Sequence, residues 1–220
     1  MIRRTPTSLK GSHPGRSSGS RGVAESANDV QPFAQADVPQ GGRRLAQNIR
    51  ERMNISYLAD HTEVIPMLAQ WFYKEWAYLH PGKTLADVER LIGERINTNK
   101  IPLALVAFEN QELIGTVSLK VNDMDTHLDL SPWLAGLYVS APLRRKGIGA
   151  TLVSAIEKKA CELGIERLYL HTPESETFYS KLGWQVKERV KYHGYPVCVM
   201  QKIVLQPCAQ AGRQSAQPRG

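Results

Sequence analysis

Two glycines and three cationic side chains lie together in the segment 140–150, which reads Ser-Ala-Pro-Leu-Arg-Arg-Lys-Gly-Ile-Gly-Ala. The apolar run 134–139 before it predicts a strand, and the spacing of Ile148, Leu152 and Ile156 predicts a helix after it. Glycine lets the backbone curl so that successive N–H groups point to one side. A helix N-terminus adds unpaired N–H donors and about half a positive charge. The segment therefore predicts a cradle for a phosphate or pyrophosphate group.

Three phosphate-binding patterns can be compared with this segment. The nucleotide P-loop ends in Gly-Lys-Ser/Thr, and the chain has Ala150 where that lysine would stand. The dinucleotide pattern needs a third glycine where the chain has Leu152. The third pattern, Arg/Gln-x-x-Gly-x-Gly/Ala, is filled by Arg144, Gly147 and Gly149. In this segment the chain resembles the GCN5-related N-acetyltransferase (GNAT) family.

A second segment strengthens the resemblance. Residues 167–171 alternate in the manner of a strand, and Gly164 is placed to end the helix before them. Residues 177–184, Thr-Phe-Tyr-Ser-Lys-Leu-Gly-Trp, then predict a short helix, a glycine stop and a strand start. This stretch is similar to the Phe-Tyr-x-x-x-Gly-Phe/Trp pattern of the family. The two patterns follow each other in the family's order, which makes the joint match more specific than either pattern.

Apolar periodicity covers residues 53–205 and predicts the element order β-α-α-β-β-β-α-β-α-β-β, which the resembled family shows. We expect one GNAT-like α/β (α+β) domain over 53–205, with a central mixed, twisted sheet of about seven strands flanked by four helices. The first helix should begin near Thr62, and the second should follow a capping box of Thr84 and Asp87 and reach Ile96. The expected strands are 54–58, 103–109, 113–121, 134–139, 167–171, 184–189 and 196–203.

The two ends of the chain are predicted to lie outside that domain. Residues 1–52 are interpreted as a disordered basic tail or an upstream extension of the reading frame, and 206–220 as a disordered C-terminal tail. An organelle transit peptide is the alternative for the N-terminus, since its first 24 residues are rich in Arg and Ser and contain no acid.

Charge is distributed unevenly along the 220 residues, whose formal net charge is +7. Residues 1–52 hold nine of the 28 basic and four of the 21 acidic residues, and 206–220 hold two arginines and no acid. The 17 basic and 17 acidic residues of 53–205 make the predicted domain neutral, so we expect no nucleic-acid partner. No apolar run approaches the roughly 18 residues of a membrane span, so we expect no membrane partner.

The cysteines Cys161, Cys198 and Cys208 have neither CxxC nor zinc-ligand spacing. We interpret them as small apolar side chains in a reducing compartment. This predicts a cytoplasmic protein without a metal site.

The resemblance implies acetyl-CoA as co-substrate, lying between the splayed strands 134–139 and 167–171. In the family the pantetheine arm bonds to strand backbone, here that of Leu137 and Val139, and backbone N–H groups hold the pyrophosphate. The cofactor-binding residues expected on this basis are Leu137, Val139, Arg144, Arg145, Lys146, Gly147, Ile148, Gly149 and Ala150.

The resemblance also implies direct transfer of the acetyl group to an amine, with Tyr179 as proton donor to the leaving thiolate. Many relatives carry a glutamate that acts as the general base on the strand before the loop, but residues 134–139 contain no acid. His171 is the candidate general base, because histidine titrates near neutral pH and its Tyr-Leu-His context resembles protein N-terminal acetyltransferases of the family. Asp125, His127 and Asp129 are the alternatives.

The acceptor side of the site is expected on the first helix, which in relatives forms one wall. Trp71 is predicted to line a pocket, unless the whole aromatic helix is packed, and Glu75 or Asp129 could pair with a substrate ammonium. The predicted function is acetyl-CoA-dependent N-acetylation of a primary amine of a small molecule, an aminoglycoside-like polyamine or a peptide N-terminus, by a monomer or homodimer. The alternative is a CoA-binding sensor or interaction module without turnover.

Overall fold

Seven strands form one mixed sheet within residues 52–204, the part of the chain described by this computed structural model. The tails expected over 1–52 and 206–220 lie outside the described residues, apart from Arg52. The sheet order is β1-β2-β3-β4-β5-β7-β6. The strands are β1 (Met53–Tyr57), β2 (Leu103–Glu109), β3 (Glu112–Lys120), β4 (Trp133–Val139), β5 (Arg167–Thr172), β6 (Gln185–Tyr192) and β7 (Tyr195–Ile203).

Four helices accompany the sheet in these residues, and the predicted element order is confirmed. They are α1 (Ile65–Trp76), α2 (Leu85–Gly93), α3 (Ile148–Glu162) and α4 (Glu176–Lys181).

The capping box at the start of α2 is confirmed in its details. The Thr84 hydroxyl accepts a bond from the Asp87 N–H at 3.2 Å, and the Asp87 carboxylate accepts one from the Thr84 N–H at 2.9 Å. The far end differs from the prediction, since α2 stops at Gly93. Ile96 instead pairs with Leu103 in an isolated bridge, because the chain leaves the helix to meet β2.

Two hairpin turns close the antiparallel pairs β2–β3 and β6–β7. Asn110 and Gln111 join β2 to β3 with φ of 49° and 68°, and His193 and Gly194 join β6 to β7 with φ of 48° and 88°. Two-residue turns with left-handed backbone match the right-handed twist of the strands they connect.

Both faces of the sheet are covered. The side chains of β2 alternate, so that Leu103 and Leu105 face the cluster under α3 and Ala104 and Val106 face the cluster under α1 and α2. A strand buried on both faces reads as a continuous apolar run, which the segment 103–108 is.

The parallel strands β4 and β5 are paired at a single position, Trp133 with Tyr169. The Tyr169 N–H also bonds to the Pro132 carbonyl at 3.0 Å, so the junction is held at the amino ends of the two strands. Farther along, β4 carries Gly136 in a left-handed conformation with φ of 58°, beside a shift of the β3–β4 register. The strands therefore diverge toward their carboxyl ends, as the resemblance implied, and leave a gap there.

We predict that Gly136→Ala destabilises the fold by at least about 2 kcal/mol. A Cβ at this position would lie 2.9 Å from the Phe72 ring and would be strained by the positive φ. Gly93→Ala is the matched control, because its Cβ would meet nothing within 4 Å. Urea denaturation should show the control unchanged or more stable by about 0.5–1 kcal/mol. Equal stability of the two variants would contradict the described packing at the strand bend.

Candidate active site

A cavity of about 960 Å³ opens where β4 and β5 diverge. It extends from the loop before α3 to the segment linking α1 and α2, and it reaches the β5–α4 connection and the β6–β7 turn. Its volume is at the upper end of the range for small-molecule and cofactor sites.

One end of the cavity is a row of free backbone N–H groups. Among the described residues, none of the N–H groups of 145–150 donates to another backbone group, and the first such bond of α3 runs from Thr151 to Gly147 at 3.1 Å. Arg145 and Gly147 have positive φ of 64° and 86°, which turns the intervening N–H groups inward. This row fits a pyrophosphate, since none of these groups has a backbone acceptor within residues 52–204.

The side chain of Arg144 points away from this loop. Its Nε donates to the Val139 carbonyl and its Nη2 to Glu75, both at 3.0 Å, and its guanidinium lies 5.2 Å from the centre of the Tyr138 ring. Glu75, the expected partner of a substrate ammonium, is therefore already paired. The Val139 carbonyl, one of the groups expected to meet the pantetheine arm, already accepts one bond.

Tyr179 lies in the cavity wall and is 7% exposed. Its ring packs edge-on against Phe178 and Trp184, with ring centres 4.9 and 6.1 Å away. Burial raises the pKa of Tyr179, and the negative charge of Asp123 raises it further. The phenol therefore stays protonated at all working pH values.

His171 also lines the cavity, and its Nε2 lies 3.1 Å from Oδ2 of Asp123. The other oxygen of Asp123 bonds to the Lys120 ammonium. Burial alone would raise the pKa of Asp123, but Lys120 and His171 together hold it well below its usual range. We call Lys120, Asp123 and His171 the Lys–Asp–His cluster. Within it, Asp123 is an ionised carboxylate that keeps the His171 proton on Nε2.

Asp123 was not among the candidates that the sequence suggested. It lies in the loop after β3, and its partner His171 lies near the end of β5, 48 positions later in the printed sequence. The only local signal is Lys120 three positions before it, which is a common spacing for an ion pair.

The other predicted candidates lie at or beyond the rim. Asp125 lines the cavity, but its side chain is 68% exposed and lies 3.9 Å from His193. Neither His127 nor Asp129 contributes to the cavity wall, since His127 faces Glu188 at 3.7 Å and Asp129 is exposed. Trp71 is also outside the wall because its ring stacks on Tyr138 at 4.9 Å.

Two further wall residues, His80 and Arg95, were not anticipated. Burial lowers the pKa of His80 to about 4, and the neighbouring Lys83, Lys120 and His171 lower it too, while Asp123 opposes the change. His80 is thus neutral at physiological pH.

No three His, Cys, Asp or Glu side chains converge as a metal site within residues 52–204. In the same stretch, no helix combines the length and the apolar character that crossing a bilayer requires.

Comparison with known proteins gives a family and a fold. The family model described as the acetyltransferase (GNAT) family matches residues 65–184. No curated protein matches the chain.

Three acetyltransferases are among the solved structures that are similar to this chain. An aminoglycoside 6'-N-acetyltransferase complexed with coenzyme A is 19% identical, with 70% of this chain and 98% of that chain covered and a TM-score of 0.56. The aminoglycoside 6'-N-acetyltransferase from Enterococcus faecium is 20% identical, with 70% and 98% covered and a TM-score of 0.54. Ard1 from Thermoplasma volcanium is 16% identical, with 70% and 99% covered and a TM-score of 0.52. These likenesses show a shared fold.

We predict that the stability of the protein falls as the pH drops from the ordinary histidine value of 6.5 toward the value of about 4 that His80 has in the fold. In that window the unfolded chain binds a proton that folded His80 does not bind, so acid favours unfolding. The loss should be about 1–2 kcal/mol, since His80 is only half buried. His80→Gln should flatten this part of the curve of melting temperature against pH. His61→Gln, which changes a histidine outside the cavity, should leave the slope as it is; an equal effect of both variants would contradict the assignment.

Proposed function

The chain belongs to the acetyltransferase (GNAT) family, and we propose that it transfers the acetyl group of acetyl-CoA directly to a primary amine of a small molecule. The observation that carries the proposal is the joint presence in one cavity of a free N–H row at 145–150 and a buried tyrosine beside an Asp–His pair. A CoA-binding module without turnover would need the first feature and would have no use for the second.

Acetyl-CoA, when bound, supplies an acetyl group activated as a thioester. In our proposal the N–H groups of 145–150 hold its pyrophosphate, and the exposed Arg145 and the half-buried Lys146 add charge attraction. The backbone of Leu137 and Val139, on the edge of β4 that β5 leaves open, bonds to the pantetheine arm. The structure complexed with coenzyme A among the similar folds supports this choice of co-substrate.

Arg144 has a different task in this proposal. Its bonds to Val139 and Glu75 join the loop before α3 to α1, so that the two ends of the cavity keep a fixed relation. We therefore assign Arg144 to positioning rather than to direct contact with the phosphates.

The amine must lose a proton, and we propose that His171 accepts it. With its proton on the Nε2 that faces Asp123, His171 has its lone pair on Nδ1, and Nδ1 has no partner in the described part of the chain. Nδ1 is also shielded from solvent, so side chains around it have to move for the acceptor amine to reach it while Nε2 stays on Asp123. The carboxylate of Asp123 stabilises the imidazolium that forms.

The sulfur must gain a proton, and we propose Tyr179 as the donor. The raised pKa of this phenol ensures that its proton is present at the start of the reaction. Complete transfer to a thiolate is uphill, because a thiol has a pKa of about 8.5. The hydroxyl therefore acts first as a hydrogen-bond donor to the sulfur as the C–S bond breaks, and solvent returns any proton that it gives up.

A small acceptor fits the entrance better than a folded protein does. Tyr78, from the segment after α1, and Tyr195, at the start of β7, meet edge to face with ring centres 4.9 Å apart. This contact joins the wall residue Tyr78 to the β6–β7 hairpin, whose turn residue His193 also lines the cavity, and so restrains the separation of these two walls. Two of the similar structures are aminoglycoside acetyltransferases, which also supports a small-molecule amine as substrate.

We predict that Gly149→Asp weakens CoA binding by at least about 2 kcal/mol, or roughly 30-fold in Kd. The new carboxylate would bring a negative charge into the cradle that holds the pyrophosphate. Gly149→Ala is the control, since its Cβ would make only ordinary contacts with Phe178 and Val139, the nearest at 3.5 Å. Calorimetry with CoA should separate the two variants. Unchanged affinity in Gly149→Asp would remove the basis of the proposed cofactor site.

We predict that Tyr179→Phe lowers turnover by about 10²–10⁴ while CoA affinity stays nearly constant. The substitution removes the donor hydroxyl and keeps the ring packing. Release of free thiol from acetyl-CoA over a panel of amines is the readout. Tyr57→Phe, which changes a tyrosine of β1 outside the cavity, is the control. Full activity of Tyr179→Phe would mean that the hydroxyl has no part in the reaction.

The same assay tests the Asp–His pair through the dependence of rate on pH. His171→Ala should slow turnover and remove the acidic limb of the profile, and Asp123→Asn should slow turnover by stabilising the imidazolium less. An acidic limb that persists in His171→Ala would exclude His171 as the base.

A further inference from the structure

Arg95 is a buried cation in the wall of the cavity, on the side formed by α1 and α2. It is 8% exposed, and it lies two positions after the last residue of α2. Its Nη1 donates to the Ser118 hydroxyl at 3.0 Å. Its Nε is buried and finds no acceptor among the described residues. An arginine with five N–H donors is thus left largely unsatisfied at a cavity surface.

The fold fixes the position of this side chain closely. The Arg95 N–H bonds to the Ile92 carbonyl at 2.9 Å, and the Arg95 carbonyl accepts the Ala104 N–H at 3.0 Å, so helix and sheet both hold its backbone. The guanidinium lies 5.6 Å from the centre of the Phe72 ring. Its Nη1 would be only 3.2 Å from a Cβ at Gly136, so the guanidinium lies in space that is open because residue 136 is a glycine.

No carboxylate in residues 52–204 lies within 4 Å of Arg95. Asp123, the acidic residue with the largest effect on it, is already bound to Lys120 and His171. The inner part of the cavity therefore holds two cations, Arg95 and Lys120, against a single carboxylate. A buried charge without a partner is costly to the fold, and such groups are normally retained with a counter-ion or a ligand.

We propose that Arg95 binds a carboxylate of the acceptor, so that the amine acetylated by this protein also carries a carboxylate. This inference rests on the proposed acetyl transfer and narrows its substrate class. The terminal nitrogen that does not bond to Ser118 is the donor that a carboxylate in the cavity can reach first. The buried Nε beside it completes a side-on, bidentate pair once the acceptor displaces the atoms that cover it. The acceptor then supplies the negative charge that the inner cavity lacks.

The same charges disfavour an aminoglycoside-like polyamine. Additional ammonium groups would enter a region that already contains Arg95, Lys120 and Lys83. The acidic side chains that remain, Asp125 and Glu174, are exposed. A polycation would therefore meet repulsion where the acceptor has to lie deepest.

Two sources offer an amine with a carboxylate: a free amino acid, and a peptide whose first residue is acidic. The test uses both, each compared with a partner in which the carboxylate is a carboxamide. The first arm pairs L-amino acids with their amides, and the second pairs peptides beginning with Asp or Glu with those beginning with Asn or Gln. A neighbouring carboxamide lowers the pKa of the α-amine, so a larger fraction of the amide has the neutral amine that reacts. A preference for the acid therefore has to overcome this advantage of the amide.

We expect the full chain to use the acid in at least one arm with kcat/KM about tenfold or more above that of its carboxamide. Arg95→Gln should bring this ratio close to one, mainly by raising KM for the acid. Arg90→Gln, which changes an exposed arginine of α2 paired with Glu94, is the matched control and should keep the preference. Arg95→Lys, which keeps the positive charge and loses the planar pair of donors, should keep part of the preference for the acid.

An independent measurement needs only the unaltered protein. Carboxylic acids without an amine should inhibit transfer to a plain alkylamine competitively and about tenfold more strongly than their carboxamides. This result is available even where Arg95→Gln does not fold.

Three outcomes would overturn the assignment. The unaltered protein could use amides as well as acids in both arms, or the preference could survive in Arg95→Gln. Arg95→Gln could also lower kcat equally for acids and amides, which would assign the guanidinium to the reacting carbonyl. In each case acetyl transfer itself stands. Absence of turnover on every amine would overturn the proposed function, and the carboxylate site with it.

Discussion

The divergence of β4 from β5 is the constraint on which the site depends. Two parallel strands that paired along their whole length would close the sheet and leave no space between them. Here Trp133 is buried and donates its indole N–H to the Leu130 carbonyl at 2.6 Å, which anchors the start of β4 beside Tyr169. Gly136 then bends β4 away. A gap opens inside an otherwise continuous core, and unpaired backbone groups become available along its edge.

The two ends of the cavity use different electrostatics. At the loop before α3, the charge complementarity comes from N–H dipoles that the backbone fixes in place. At the inner end it comes from the ionised side chains of Lys120, Asp123 and Arg95, whose removal from water strengthens the interaction of opposite charges and makes an unpaired charge costly. The first arrangement suits a phosphate of any nucleotide-like ligand. The second depends on the acceptor and is where specificity is decided.

Contacts across the cavity hold its two ends at a fixed distance from each other. Arg144 joins the loop before α3 to α1 through Glu75, and Tyr78 contacts Tyr195 at the start of β7. Residue 95 continues the chain from α2 into β2, so the buried arginine is carried by the same junction that shapes the wall. Loss of one contact would thus alter the distance between cofactor and acceptor as well as local stability.

Much of the fold followed from the sequence because it depends on short spacings. The capping box of Thr84 and Asp87, the two-residue hairpin turns, the glycine loop before α3 and the alternation of β2 are all determined within a few residues. The position of Tyr179 in the segment after β5 belongs to the same class, since a family pattern of seven residues identifies it.

The inner cavity was decided by tertiary structure alone. Asp123 meets His171 only because the loop after β3 packs against β5, and the one local feature that distinguishes Asp123 from Asp125 or Asp129 is Lys120 three positions before it. Arg144 was identified as a loop residue, but Glu75, 69 positions away, determines where its side chain points. Arg95 appears in the sequence as one more charge at the end of a helix. The local sequence pattern indicates which residues belong to the same helix or strand. Whether a charged side chain is buried depends on every element packed around it, and burial is what makes an unpaired charge costly.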